Sequence, residues 1–192
     1  MPDKPLAYFI TFTTYATWLH GKEAGSVDPT HNQPETPFLP ADPVRESEEG
    51  AAMKQLAYIL DAPRRRVVLA TIREVCQHRG WRLLACHVRA THVHLVVHAD
   101  AAPEKVMNDC KAYASRRLTE AGLDDKERKR WTRHGSTKYI WNEVSLENIV
   151  DYVLNRQDDP METYVDVDTF GPLPYGRGSE TDSEQTESEP RP

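Results

Sequence analysis

Apolar and polar positions along the chain change period several times. Residues 6–18, Leu-Ala-Tyr-Phe-Ile-Thr-Phe-Thr-Thr-Tyr-Ala-Thr-Trp, are β-branched and aromatic with threonine at alternate positions, which predicts a strand. Residues 21–45 carry prolines at 29, 34, 37, 40 and 43 and little apolar periodicity, which predicts a long loop. Met53, Leu56, Ile59 and Leu60 repeat at helical spacing. Pro63 then suits the first turn of a further helix with its stripe on Val68, Ile72 and Val75 and its stop at Gly80. Two strand-like runs follow, 81–90 and 91–98. Pro103 opens a helix that uses Val106, Cys110 and Tyr113 and ends near Gly122. Residues 124–130 are almost wholly charged and read as a solvated connection, and 137–144 as a strand. Ser145 is placed to cap a last helix, whose Leu146, Ile149, Val150, Val153 and Leu154 form one apolar stripe.

The order β, loop, α, β, β, α, β, α contains β-α-β-β-α-β. The expected class is α+β: a ferredoxin-like core with an antiparallel sheet, helices on one face, the other face free for a partner or a site, and an added C-terminal helix. From Gly171 the chain is proline, glycine, serine and acid, too poor in apolar surface to offset its ordering entropy. The expected organisation is one domain over 1–170 and an acidic disordered tail over 171–192.

Composition narrows the class. The chain has 192 residues, a length that suits one domain. No apolar run approaches the roughly 18 residues of a membrane span, and no secretory signal pattern opens the chain. Cys76, Cys86 and Cys110 are odd in number and widely spaced, unlike a disulfide framework or a zinc finger. These features point to a protein of the cytoplasm. The net charge of −6 conceals a division: residues 63–138 hold 17 Lys+Arg and 8 Asp+Glu, a net of +9, and the remainder a net of −15. A basic middle between acidic ends suits a polyanion-binding surface, or else an ordinary solvated face.

Three segments carry candidate chemistry. In Thr91-His92-Val93-His94-Leu95-Val96-Val97-His98, strand alternation sends Val93, Leu95 and Val97 into a core and His92 and His94 to the other face, roughly 7 Å apart. Two imidazoles at that separation can share a metal ion and leave its other positions open to a phosphate oxygen, although strand histidines also occur without any ligand. His98 shares the face but lies further along. Tyr152 falls off the stripe of the last helix, with Arg156 four residues on. It is either a nucleophile whose charge Arg156 stabilises or an amphipathic tyrosine at the core rim. Trp131-Thr132-Arg133-His134-Gly135-Ser136-Thr137-Lys138-Tyr139-Ile140-Trp141 interleaves aromatics with cations. Trp131, Arg133, His134 and Lys138 suit base stacking and phosphate contact; the alternative is a turn and a strand packed under the sheet. Lys111, Arg116 and Arg117 would extend the basic surface.

Taken in order, these motifs resemble the HUH single-tyrosine transposases, and among them the REP-associated tyrosine transposases with their IS200-like domain. The residues that carry the resemblance are Thr-Thr-Tyr-Ala-Thr-Trp-Leu-His-Gly at 13–21, His92-Val93-His94, the segment 131–141, and Tyr152 with Gln157, over roughly residues 6–165. The resemblance implies Mg²⁺ or Mn²⁺ on the two histidines and cleavage of single-stranded DNA beside a hairpin formed by palindromic repeats. It further implies a 5′-phosphotyrosine link at Tyr152, a freed 3′-OH for rejoining, and a monomer or homodimer associated with the nucleoid. Relatives can supply a third ligand, often glutamine four residues after the tyrosine. Here that position is Arg156, and Gln157 is rotated about 140° from Tyr152 in a regular helix, so it is a ligand only if the helix ends or bulges there. Two other functions share these residues: a domesticated module binding structured DNA or RNA with little cleavage, and a metal-dependent phosphodiesterase that uses water.

Overall fold

The computed structural model describes residues 4–17, 53–157 and 161–170. The expected loop at 21–45 and the expected tail at 171–192 lie outside them. The elements are β1 (Ala7–Thr13), α1 (Ala62–Arg79), β2 (Arg82–Val88), β3 (His92–His98), α2 (Pro103–Glu120), β4 (Ser136–Ile140), α3 (Glu143–Asn155), β5 (Glu162–Val165) and a short α4 (Val167–Phe170). The strands form one antiparallel sheet in the order β4-β1-β3-β2-β5. Its first four strands with α1 and α2 are the ferredoxin-like core, and β5 extends the β2 edge.

Local signals set the main boundaries. Asp61 caps α1 by accepting the Arg64 N–H, Pro63 sits in the first turn, and Gly80, with φ of 69°, ends the helix in the left-handed conformation. Val93, Leu95 and Val97 of β3 pack with Ile10, Phe12 and Val88 against Val68 and Ile72 of α1 and Val106, Cys110 and Leu118 of α2. All three cysteines are free and buried.

The second face departs from expectation, because it is not bare. Val150 and Val153 of α3 pack on Ala7, Leu84, Ala85, Val96, Ile140 and Val165, with Leu146, Ile149 and Leu154 at the margin. An apolar stripe must be buried somewhere, and this face is what the other two helices leave. A register shift in β2 between Leu83 and Ala85 turns both Leu84 and Ala85 into this layer.

Other differences are local. Residues 53–61 are not helical: Tyr58 and Leu60 are buried while Leu56 and Ile59 are exposed, an alternation of two rather than a helical repeat. Backbone bonds from Tyr58 to Tyr15 and from Leu60 to Ala90 hold this extended segment over the end of the sheet. Nor is 124–130 simply solvated. Asp124 and Arg130 form a buried ion pair, and Asp124 also accepts from Arg64 and from the Tyr58 hydroxyl. Burial works to raise the Asp124 carboxyl, but the hydrogen bonds outweigh it and hold it below the usual carboxylate range. The first strand ends at Thr13 and the fourth at Ile140. The cap of α3 is Asn142, which accepts the Ser145 N–H, so Ser145 lies inside the helix.

Candidate active site

Helix α3 packs on β2 and β3. Beyond it the same sheet face is polar. The register sets Thr13 beside His92, and Thr11 between His94 and Ser136. Lys138 pairs with Phe9 and shares this face. Gly135 brings the chain to β4 so closely that an added Cβ would lie 2.5 Å from the Thr11 carbonyl oxygen and from Met107 Sδ. That approach is open only to glycine.

The His92 and His94 rings lie 4.7 Å apart, centroid to centroid. His94 is buried, stacked on Phe9 at 5.5 Å, with Nδ1 2.8 Å from Thr11 Oγ1. His92 Nδ1 lies 3.1 Å from Thr91 Oγ1. Burial, reinforced by Arg89 and the neighbouring histidines, pushes His92 down to about 4 and His94 to about 3. Both rings are therefore neutral near pH 7, the form that carries a metal-binding lone pair. A hydroxyl on Nδ1 leaves His94 Nε2 as the ligating atom.

Tyr152 is 41% exposed, and its ring stands 5.9 Å from His94 and 6.2 Å from Phe9. Arg156, expected beside the phenol, instead pairs with Asp151 at 2.6 Å. Helix α3 ends at Asn155, so the 140° rotation does not apply to Gln157. Its Nε2 donates to the Tyr152 carbonyl at 3.3 Å, and its side chain lies beside His92, where it works against the downward push of burial.

The expected basic surface divides in two. Arg133, His134 and Lys138 are exposed, and Lys138 is on the histidine face. The residues on α2 belong to the opposite side of the sheet. Lys111 points inward, donates to the Thr132 and His134 carbonyls at 3.0 Å each, and is pushed down to about 8 by burial. It anchors the 131–135 segment instead of facing a ligand. Arg117 is held by Glu74 and Glu120, and Arg116 lies over Tyr113. Trp131 is no stacking platform: its indole N–H donates to Lys111 O and Ser115 Oγ while its ring packs on Phe12. His98 is at the far end of β3, bonded to the Leu6 carbonyl.

Sequence reading missed Thr11, Arg89 and His87. The alternate threonines of the first strand were visible, but their partners depend on register. His87 lies opposite His94, fully buried. Two neutral imidazoles and an amide oxygen make a donor set with no carboxylate, and among the described residues no group of three or more His, Cys, Asp or Glu is arranged to hold a metal ion. Such a site fits a divalent ion that accepts nitrogen ligands and completes its shell with phosphate oxygens, as Mn²⁺ does more readily than Mg²⁺.

The family model for IS200-like transposases matches residues 52–156, more than half of the chain, including His92, His94 and Tyr152 but neither the first strand nor Gln157. The chain belongs to the IS200-like transposase family. Such a transposase is a DNA-processing enzyme. Among solved structures, a REP-associated tyrosine transposase bound to a REP hairpin is similar at 12% identity and a TM-score of 0.44, over 81% of this chain and 68% of that one. A protein of Deinococcus radiodurans R1 proposed to be a transposase is similar at 16% identity and 0.40, over 81% and 93%. No curated protein sequence matches. Among the described residues, no helix of this transposase is long and apolar enough to cross a membrane.

Proposed function

We propose that this transposase nicks and rejoins single-stranded DNA at hairpin-flanked sites through a 5′-phosphotyrosine at Tyr152, with Mn²⁺ or Mg²⁺ held by His92, His94 and Gln157. The observation that carries the reading is the placement of Tyr152, a half-exposed phenol 5.9 Å from the His94 ring within one chain. A nucleophile and a metal-binding pair therefore meet without help from a second copy, which suits a monomer acting in cis.

Tyr152 Oη attacks phosphorus, the bond from phosphorus to the 3′ oxygen breaks, and the phenolic proton passes to solvent while the 3′ oxygen gains one. The phosphoester energy stays in the tyrosine link, so the freed 3′-OH can later rejoin a strand without an external energy source. When bound, the divalent ion would polarise the scissile phosphate and offset its charge. The fixed cation of Arg89 adds to the positive field around His92 and His94. Lys138, Arg133 and His134 line the approach of the DNA backbone. Phe9 and His94 hold the Tyr152 ring by edge-on packing, which limits its rotamers before attack.

Incubation with labelled single-stranded hairpins and Mn²⁺, read on a denaturing gel, tests this. A covalent protein–DNA adduct is expected, together with a nick that chelation prevents. A nick without an adduct would favour hydrolysis by water, and hairpin binding without a nick would favour a domesticated binding module.

A further inference from the structure

His87 is the one histidine of the sheet centre that the reaction above leaves without a role. It is fully buried and sits opposite His94 in register. Its Nδ1 lies 2.9 Å from the Val153 carbonyl, and its Nε2 accepts the Met161 N–H at 3.3 Å. A carbonyl can only accept, so Nδ1 carries the proton and Nε2 the lone pair. Both nitrogens are engaged, and His87 is not available to a metal despite its place beside His94.

The Val153 carbonyl matters because of where it lies. In a continuing α-helix it would accept the N–H of residue 157. Helix α3 stops at Asn155, which leaves this carbonyl among the last four that need an outside partner. His87, reaching across from β2, is that partner. The early stop in turn frees Gln157 from the helical position that would rotate it about 140° from Tyr152, and its side chain instead folds back to the Tyr152 carbonyl, beside His92.

We propose that His87 is a positioning residue: it ends the tyrosine helix at Asn155 and so brings Gln157 to His92 on the side where Tyr152 stands. The metal half of this inference rests on the reading given under Proposed function; the helix-end half does not. Met161 begins the run into β5, so the same imidazole ties the tyrosine helix to the segment that follows it.

The test uses the full chain and the variants His87→Met, which keeps much of the volume but has no donor, and His87→Gln, whose amide offers one donor and one acceptor. Backbone carbon shifts of Arg156 and Gln157 should be non-helical in the wild type and in His87→Gln, and helical in His87→Met. Mn²⁺ affinity, read by electron paramagnetic resonance, should fall about tenfold in His87→Met. It should fall equally in Gln157→Ala and no further in the double variant, because both remove the same ligand. Hairpin affinity should not change, since His87 faces no solvent. A folded His87→Met with a wild-type helix end and wild-type Mn²⁺ affinity would overturn the proposal, as would additive losses in the double variant. Should His87→Met not fold, the imidazole nitrogen spectrum of the wild type decides: protonation at Nδ1 supports the proposal, and protonation at Nε2 overturns it. A wild-type protein that binds no Mn²⁺ would end the metal reading, and the helix-end shifts would still judge the positioning role.

Discussion

The two faces of the sheet are built from the same strands and serve opposite ends. On the α1/α2 face, Val93, Leu95 and Val97 join a continuous apolar layer under two 18-residue helices. On the other face the alternate residues of β3 are His92, His94, Val96 and His98, and only Val96 is covered apolar ground. The 13-residue α3 seals that end and stops. One face spends its surface on stability, whereas the other stays partly open, with polar groups already oriented at the boundary between covered and open sheet. That boundary is where neutral histidines are attainable. It is buried enough to favour the neutral imidazole and open enough to leave Tyr152 and Lys138 exposed.

The comparison breaks most decisively at Tyr152. Tyr152→Phe keeps the ring on Phe9 and His94 but deletes the attacking oxygen. Adduct formation should drop by roughly 10³-fold or more, with hairpin binding retained and stability changed by less than about 1 kcal/mol. An adduct that persists in this variant, followed to its peptide by mass spectrometry, would move the nucleophile elsewhere. On the opposite face, Leu95→Ala should show the reverse: a loss of about 2–5 kcal/mol in denaturant unfolding, with adduct chemistry intact at low temperature in the fraction that remains folded.

Thr11→Val is a smaller perturbation on the open face. It removes the hydroxyl 2.8 Å from His94 Nδ1 and should weaken Mn²⁺ binding by about tenfold while Thr11→Ser restores it. Unchanged affinity in the valine variant would show that His94 is oriented by packing alone.

Acid should separate the faces as well. The unfolded chain binds protons at His92 and His94 below about pH 6.5, whereas the folded chain holds them at about 4 and 3. The stability tied to their neutral state is fully present above pH 6.5 and is lost as pH falls from there toward 3–4. Replacing both by glutamine should flatten that part of the stability profile, measured by urea unfolding at stepped pH; an equally steep profile would assign the acid sensitivity to other groups.

The smallest effect concerns the cations. Lys138→Ala or Arg133→Ala should lower the salt slope of single-stranded hairpin binding by about 0.7 each, whereas Arg117→Ala, on the α2 side and paired with Glu74 and Glu120, should leave it unchanged. Equal slopes for all three would mean that the DNA does not distinguish the faces.

Much of this was legible from local pattern. The His-Val-His run sorts its own side chains because strand period is a property of backbone geometry. The α3 stripe likewise puts Tyr152 off the core, and Asp61, Pro63 and Gly80 carry the α1 boundaries with them. Pattern misled where its period was ambiguous, as at 53–60, where four apolar positions fit a helix on paper but tertiary bonds draw the segment out. It was also silent on partners. The run at 124–130 looks solvated until Asp124 meets Arg130, Arg64 and Tyr58, and Lys111 looks like a DNA contact until Thr132 and His134 offer it two carbonyls.

The sequence by itself determined which residues could take part: two histidines sharing a strand face, a tyrosine on the outer side of a helix, and a glutamine at an awkward spacing. Tertiary structure alone decided that they meet. The stop of α3 at Asn155, the cover of half a sheet face, and the hydroxyls behind the imidazoles all depend on atoms distant in sequence. A hydrogen bond has one geometry but many candidate partners, and only the folded chain selects among them.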